Sequence, residues 1–336
     1  MFRNLSRRDG QALTRTGADL AWPLVSIVTP SYNQSEFLEA TIRSVLEQDY
    51  PNIEYIICDG GSTDGSVNLI HKYADRLAWW CSERDGGQSD AINKGLARAR
   101  GSIIGWLNSD DTLLPGCVST VVRAFGENPN AGLVFGGLEI IDEAGDVTGL
   151  FGRRPYTFAD QLTHRMIIPQ PSSFWRSSVA RAVGPVRSDL HFTMDFEYWI
   201  RIGRRFSIVQ IPETLAQFRV SSVNKGAVQR GGWGPEFIRV LDDLYSEPDL
   251  PDFVRTLRSR AYAGAFTHGA AWFVASGEYA EARKWIWKAV SARAAVIMRP
   301  RWWHTATTAV LGSHVHAAGR RAKLILRGGG RHTTAG

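Results

Sequence analysis

The first half of the chain predicts an α/β fold: a Rossmann-like, mainly parallel central sheet flanked by helices. Two observations carry this. Short apolar runs alternate with segments of helical periodicity in the order β-α-β-α-β, which implies parallel strands joined by right-handed crossovers. With 336 residues, 44% of them apolar and 21% charged, the chain is also long and apolar enough for one large domain plus a smaller one. The expected organisation is an N-terminal arm over residues 1–23, a main domain over 24–225, and a helical C-terminal extension with a basic tail over 226–336.

Leu24-Val25-Ser26-Ile27-Val28-Thr29 reads as the first buried strand, ended by Pro30. Residues 36–48 follow as a helix, with Phe37, Ile42, Val45 and Leu46 on one face and Ser35 as its N-cap. The second strand spans 53–58 and runs into the turn-rich loop Asp59-Gly60-Gly61-Ser62-Thr63-Asp64-Gly65. A helix over 66–73, a short strand over 77–81 and a helix over 90–100 lead to the apolar run Ile103-Ile104-Gly105-Trp106-Leu107. Asn108-Ser109-Asp110-Asp111 closes that run with two adjacent acids. A further strand is expected over 133–141, with a turn at 142–146, while residues 150–190 show no readable pattern. A helix over 192–204 and a strand over 206–211, followed by Pro212, complete the main domain. Beyond residue 226 the pattern is helical, with a hairpin of 262–276 and 278–293 joined at Gly277-Glu278, and disorder is expected from residue 328 on.

Cys58, Cys81 and Cys117 form neither a disulfide framework nor a metal-ligand spacing, so they read as small core residues of a protein in a reducing cytosol. Residues 1–22 are polar and basic without the apolar stretch of a signal peptide, and no run reaches the roughly 18 apolar residues of a spanning helix. A cytoplasmic location is therefore expected. The charge is uneven: after Glu281 there is no acid and there are eleven Lys or Arg, and removing these from the net +6 leaves −5 for the rest. In this tail Trp285, Trp287, Trp302 and Trp303 interleave with basic residues. That pattern fits peripheral contact with an anionic membrane surface and equally a packed hairpin with a basic exterior. No nucleic-acid motif accompanies it, so no nucleic acid is expected as a partner.

Acids at a strand's carboxyl end sit where open α/β sheets bind ligands. Two of them side by side repel, and a divalent cation carrying a diphosphate would offset this; the competing reading is a turn in which one Asp caps the next helix. Five segments in order resemble the inverting family-2 glycosyltransferases, which have the GT-A fold. They are the strand through Pro30-Ser31-Tyr32-Asn33, then Asp59 to Ser66, then Glu83-Arg84-Asp85-Gly86-Gly87-Gln88-Ser89-Asp90-Ala91-Ile92-Asn93-Lys94-Gly95, then Asn108-Ser109-Asp110-Asp111, and later Met194-Asp195-Phe196-Glu197-Tyr198-Trp199. The resemblance spans about residues 24–225.

It implies an inverting, metal-dependent transfer of a sugar from a nucleotide-diphosphate sugar, UDP-linked by default, to a hydroxyl of a glycan or lipid-linked acceptor. Synthesis of cell-envelope or extracellular polysaccharide is the implied setting. Donor-binding positions carried over are Pro30, Tyr32, Asp59, Asp85, Lys94, Asp110 and Arg219. Tyr32 would support the base and Asp59 would accept its N–H, although Asp59 and Asp85 also stand in turn-forming sequences, and Asp64 reads as a helix cap. Mg²⁺ or Mn²⁺ falls to Asp111 first and Asp110 second. Asp195 takes the role of the base that deprotonates the acceptor; its other reading is a carboxylate favoured by a helix N-terminus, and Glu197 is its rival. Gln170, Glu197 and Trp199 are the implied acceptor-side residues, with a loop hydrogen bond as the other reading of Gln170 and core packing as that of Trp175 and Trp199. One departure stands out. The family often has a His just after the Arg of its last core strand, whereas Arg219 is followed by Val220-Ser221-Ser222-Val223-Asn224-Lys225. Arg219 and Lys225 are the substitute contacts for the diphosphate. The competing function is a scaffold that binds nucleotide or glycan without turnover.

Overall fold

A computed structural model describes residues 22–165, 167–221 and 232–312. Nine strands form one sheet in the order β3-β2-β1-β4-β8-β6-β9-β5, with β7 paired to β6. β1 (Val25–Ser31), β2 (Ile53–Asp59), β3 (Trp79–Ser82) and β4 (Ile103–Trp106) pair in parallel. Their crossovers carry α1 (Ser35–Leu46), α2 (Ser66–Lys72) and α3 (Gln88–Arg98). All seven residues of β1 are buried, as a near-continuous apolar run must be when helices cover both faces of a parallel sheet. α3 lies so close to it that a Cβ on Gly95 would meet Val28 Cγ1 at 2.3 Å. β2 and β3 lie on one side of β1 and β4 on the other, so the strand order reverses between β1 and β4, and a crevice opens at their carboxyl ends.

Beyond β4 the sheet is mixed. β5 (Thr112–Leu113), β6 (Ala131–Ile141), β7 (Val147–Phe151), β8 (Ser173–Arg176) and β9 (Ser207–Arg219) follow. β8 runs antiparallel between β4 and β6, β5 pairs antiparallel with β9, and only β6 and β9 pair in parallel here. β8 lies in the stretch that sequence periodicity left unassigned, since four residues after a Gln-Pro turn are too few to show a period. β9 does not stop at Pro212. The ladder skips it instead: Phe135 of β6 faces Gln210 and Gly137 faces Thr214. Proline has no N–H to give a ladder, so an irregularity there lets the strand continue. α1 begins at Ser35 after Gln34, so Ser35 is the first helical residue and not its cap.

The remaining helices are α4 (Cys117–Glu127), α5 (Phe158–Asp160), α6 (Ser177–Val183), α7 (Met194–Gly203), α8 (Trp233–Ser246), α9 (Asp252–Arg255), α10 (Arg258–Ala275), α11 (Tyr279–Ala292) and α12 (Pro300–Leu311). Trp106, Phe135, Trp175, Phe196 and Trp199 of the sheet and α7 share one core with Phe237, Leu241 and Leu244 of α8 and Ala261 and Ala265 of α10. A second core, on the other side of the sheet, joins Val25, Ile27, Leu38, Ile42, Val118 and Leu215. α10 and α11 form the expected hairpin. Gly277 takes φ +80° after α10, and the N–H of Glu278 reaches back 2.8 Å to the carbonyl of Phe273, which closes the helix end. Among the described residues no helix is long and apolar enough to cross a membrane.

Candidate active site

The register sets Ser31, Asp59 and Ser82 side by side at the ends of β1, β2 and β3. The loops beyond them are laced by side chains. Asn33 takes φ +50°, the left-handed region that Asn tolerates better than most residues. Its N–H donates to Ser62 Oγ at 2.8 Å and its Oδ1 accepts from the N–H of Thr63 at 2.9 Å. Asp64 accepts from the N–H of Ser35 at 2.8 Å and from the N–H and Oγ of Ser66 at 3.0 and 2.6 Å. Partial burial works against ionisation of Asp64, but these donors hold its carboxyl down at about 2. It therefore ties the starts of α1 and α2 together. Tyr32 stands 62% exposed over this edge, whereas Pro30 is buried within β1 and offers no surface at its end.

Asp59 is buried and its carboxylate is well supplied with donors. Oδ2 accepts from the N–H groups of Gly61 and Ser62 at 3.0 and 2.8 Å and from Ser82 Oγ at 2.7 Å, and Oδ1 accepts from Ser62 Oγ at 2.5 Å. The turn-forming role is thus filled, and a base N–H would have to share Oδ1 with Ser62. Asp85 lies against Gly60, where a Cβ would meet its Oδ2 at 3.0 Å, and its Oδ1 accepts from the N–H of Gly87 at 2.8 Å. Lys94 on α3 pairs with Glu83 at 3.0 Å.

Asn108 is the hub of the acid motif. Its Oδ1 accepts from Trp106 Nε1 at 2.8 Å and Gln88 Nε2 at 2.9 Å; its Nδ2 donates to Gln170 Oε1 at 3.0 Å and Asp111 Oδ2 at 3.4 Å. Gln170 in turn donates to the carbonyl of Trp106 at 2.5 Å. Each end of the buried Gln170 amide is therefore engaged by the fold, which is the loop role. The two acids differ. Asp111 is fully buried and accepts from the backbone N–H of Arg219 at 3.0 Å, while Asp110 is half-buried and accepts no side-chain hydrogen bond among the described residues. Desolvation raises the Asp110 carboxyl to about 6 against the pull of Arg219, and desolvation plus the charge of Asp110 raise Asp111 well above the ordinary range. Asp110 is thus the more accessible carboxylate of the two, and Asp111 is enclosed in the fold.

Arg219 is engaged by backbone carbonyls. Its Nε donates to the carbonyl of Asp110 at 3.1 Å, its guanidinium donates to the carbonyls of Asp142 and Glu143 at 2.9 and 3.1 Å, and the group lies over Phe37. It is buried and clamps the acid motif to the β6–β7 turn. Lys225, the other expected contact, lies outside the described residues. Among those residues no three His, Cys, Asp or Glu cluster as a ready-made metal cage. A half-buried oxygen ligand without side-chain donors does fit a hard cation such as Mg²⁺ or Mn²⁺ that takes its other ligands from water and phosphate.

α3 connects this edge to Asp195. Gln88 holds Asn108, Asn93 exchanges two hydrogen bonds with the backbone of Val186 at 2.7 and 2.8 Å, and Ser89 reaches the carbonyl of Leu190 at 3.5 Å. These amide residues were legible only as parts of a motif, and their task of holding the segment before α7 depends on tertiary contact. Asp195 lies in the first turn of α7, half-buried, with Oδ1 accepting from the N–H of Phe196 at 2.7 Å. Desolvation raises its carboxyl to about 6. Glu197 points elsewhere: it is buried and paired with Arg201 at 2.7 Å, and burial raises its carboxyl despite that partner. Trp199 is 1% exposed, with its ring edge-on to Trp175 and Tyr198. It is core, as is Trp175, and offers no face to a sugar.

The model of the family described as Glycosyl transferase family 2 matches residues 26–178. An uncharacterized glycosyltransferase of Mycobacterium tuberculosis is 32% identical over 226 residues, covering 66% of this chain and 84% of the relative. A putative teichuronic acid biosynthesis glycosyltransferase of Bacillus subtilis is 28% identical over 221 residues, covering 63% of this chain and 86% of that protein. Among solved structures, S. aureus TarS 1–349 in complex with UDP-GlcNAc is similar with a TM-score of 0.62 at 15% identity, covering 80% of this chain and 81% of that one. A mannosyltransferase of Pyrobaculum calidifontis in complex with GDP-Man and Mn²⁺ is similar with a TM-score of 0.59 at 18% identity, covering 86% and 84%. At such identities the structural likeness speaks for the fold alone.

Proposed function

The chain belongs to glycosyl transferase family 2, with the GT-A fold, and from that premise we propose that it transfers a sugar with inversion from a nucleotide diphosphate to a hydroxyl of a glycan or lipid-linked acceptor. The observation that carries this reading is the pairing of two carboxylates in different states of engagement. Asp110 ends the β4 loop with no side-chain partner among the described residues, and Asp195, on α7, is half-buried with a carboxyl raised to about 6.

In this reading Asp195 accepts the proton of the acceptor hydroxyl as that oxygen attacks the anomeric carbon. A carboxyl near 6 is mostly ionised at neutral pH yet more basic than an exposed Asp, which suits a base. The leaving nucleotide departs from the opposite face, so one displacement inverts the centre. Asp110 is the residue that would hold Mg²⁺ or Mn²⁺. When bound, the cation supplies charge to the leaving diphosphate, an attraction of roughly 4 kcal/mol per unit charge at 4 Å and an effective dielectric of 20. Tyr32 gives the base of the nucleotide a flat support and Asp59 an edge partner, with a uridine donor as the default. The likeness to a putative teichuronic acid biosynthesis glycosyltransferase supports a cell-envelope polymer as the setting. Exposed Trp287, Met298 and Trp303, set among Arg283, Lys284, Lys288 and Arg293 on the C-terminal helices and their link, support a resting place on the anionic cytoplasmic face of a membrane.

A screen of nucleotide sugars for donor hydrolysis, with and without Mn²⁺, tests the proposal. Mn²⁺-dependent release of a nucleoside diphosphate from one donor class is expected. Absence of both turnover and Mn²⁺-dependent nucleotide binding would overturn it.

A further inference from the structure

We propose that Glu236, on α8 in the C-terminal extension, is a positioning residue that sets the geometry of Asp195; the inference rests on reading Asp195 as the base. Three successive backbone N–H groups just before α7 converge on the one carboxylate. His191 donates to Oε1 at 2.7 Å, and Phe192 and Thr193 donate to Oε2 at 2.8 and 3.1 Å. Thr193 Oγ1 adds a fourth bond to Oε2 at 3.2 Å. Thr193 is the residue that would ordinarily cap α7 with its own hydroxyl, and it makes no such bond. Glu236 instead takes the N–H groups of the three residues that lead into the helix. Glu236 lies in the first turn of α8 and faces the start of α7, so its charge meets the positive ends of two helix dipoles.

Packing completes the clamp on either side of Asp195. Phe192 lies against Trp233 with ring centres 5.5 Å apart, and Phe196 meets Phe237 edge-to-face at 5.1 Å. Asp195 sits between those two anchors, and its Oδ1 takes the N–H of Phe196. The direction of its other oxygen is thus fixed by where the first turn of α7 is held, and Glu236 holds that turn. The main domain therefore borrows the geometry of its base from a helix past residue 225. A displacement of about 1 Å at a catalytic group can cost roughly 10²-fold in rate.

The test compares Glu236→Gln, Asp195→Asn and the double variant in the full chain. Readouts are hydrolysis of the nucleotide sugar that the donor screen returns, with water as acceptor, and calorimetric binding of UDP with Mn²⁺. Gln keeps the size of the side chain, but its NH₂ end cannot accept a backbone N–H. We expect kcat to fall about 10- to 100-fold with the nucleotide Kd unchanged, and no further fall when Glu236→Gln is added to Asp195→Asn, since both act through one group. Parental kcat in Glu236→Gln alongside a silenced Asp195→Asn overturns the positioning role and leaves the base standing. A multiplicative loss in the double variant also overturns it. Normal turnover in Asp195→Asn removes the base reading and this inference with it. Should Glu236→Gln not fold, Thr193→Val carries the test, because it deletes one donor to Glu236 and keeps the backbone ones. A fall of a few fold in kcat at unchanged Kd supports the role, and unchanged kcat overturns it.

Discussion

At the scale of single residues, two pairs of acids show how burial sorts look-alikes. Asp195 and Glu197 share the first turn of α7, but Glu197 is consumed by Arg201 and only Asp195 keeps a carboxylate without a cationic partner among the described residues. Its carboxyl sits near 6, so transfer should fall as pH drops below that value, with one proton taken up in the acidic limb of kcat/KM. Asp195→Asn should remove that limb and cost about 10²–10⁴-fold in transfer while UDP binding persists. The same shift has a stability side. A carboxyl raised in the folded state loses stability as pH rises from the ordinary 3.8 towards 6, so Asp195→Asn should melt no lower than the parent at pH 7.5. The second pair is Asp110 and Asp111. Asp111→Ala should strand the N–H of Arg219 and cost about 1–3 kcal/mol in denaturant unfolding. Asp110→Ala should leave unfolding nearly unchanged and weaken Mn²⁺-dependent UDP binding in calorimetry. The reverse pattern would restore Asp111 as the cation's main ligand.

At the scale of elements, α7 depends on α8, and the cost of cutting that tie can be stated. Phe237 is fully buried against Phe196 and within ring contact of Trp233. Phe237→Ala should cost about 3–5 kcal/mol in denaturant unfolding and lower transfer beyond what the lost stability explains. A full-activity variant with that loss would show that α7 keeps its place without α8. This dependence also marks where sequence reading runs out. The strands β1, β2 and β4, and the acids at the ends of β2 and β4, were legible because local periodicity and turn chemistry report a buried parallel strand directly. β8 was not, being four residues long and set by pairing with two distant strands. The passage of β9 through Pro212 was hidden for a related reason, since a bulge depends on the partner strand. Among site residues, the placement of Asp110 just beyond β4 and of Asp195 in the first turn of α7 was readable from type and position. The enclosure of Asp111 and the clamp of Arg219 on three carbonyls were not, since each depends on groups tens of residues away.

At the scale of the whole molecule, charge and apolar surface are gathered at one end of the chain. The segment after Glu281 has eleven basic residues and no acid, and within it Trp287 is 72%, Met298 82% and Trp303 56% exposed. Exposed aromatics that serve only packing would be turned inward, as Trp285 is. Each Lys or Arg near an anionic lipid surface contributes roughly 1 kcal/mol, and interfacial Trp adds apolar burial in the headgroup region. A basic segment alone would give binding that vanishes with salt, whereas aromatic insertion leaves a salt-resistant remainder. Co-sedimentation can separate the two. The full chain should pellet with vesicles containing phosphatidylglycerol and stay in solution with pure phosphatidylcholine. The combined change Trp287→Ser, Met298→Ser and Trp303→Ser should lower the bound fraction several-fold and abolish the part that survives high salt. Equal binding to both vesicle types, or no loss in the triple variant, would return these side chains to a packing role and would leave a soluble glycan as the better acceptor. Loss on triple substitution would instead place the transferase at the surface where lipid-linked acceptors are found, with α8 to α12 joining the membrane contact to the helix that carries Asp195.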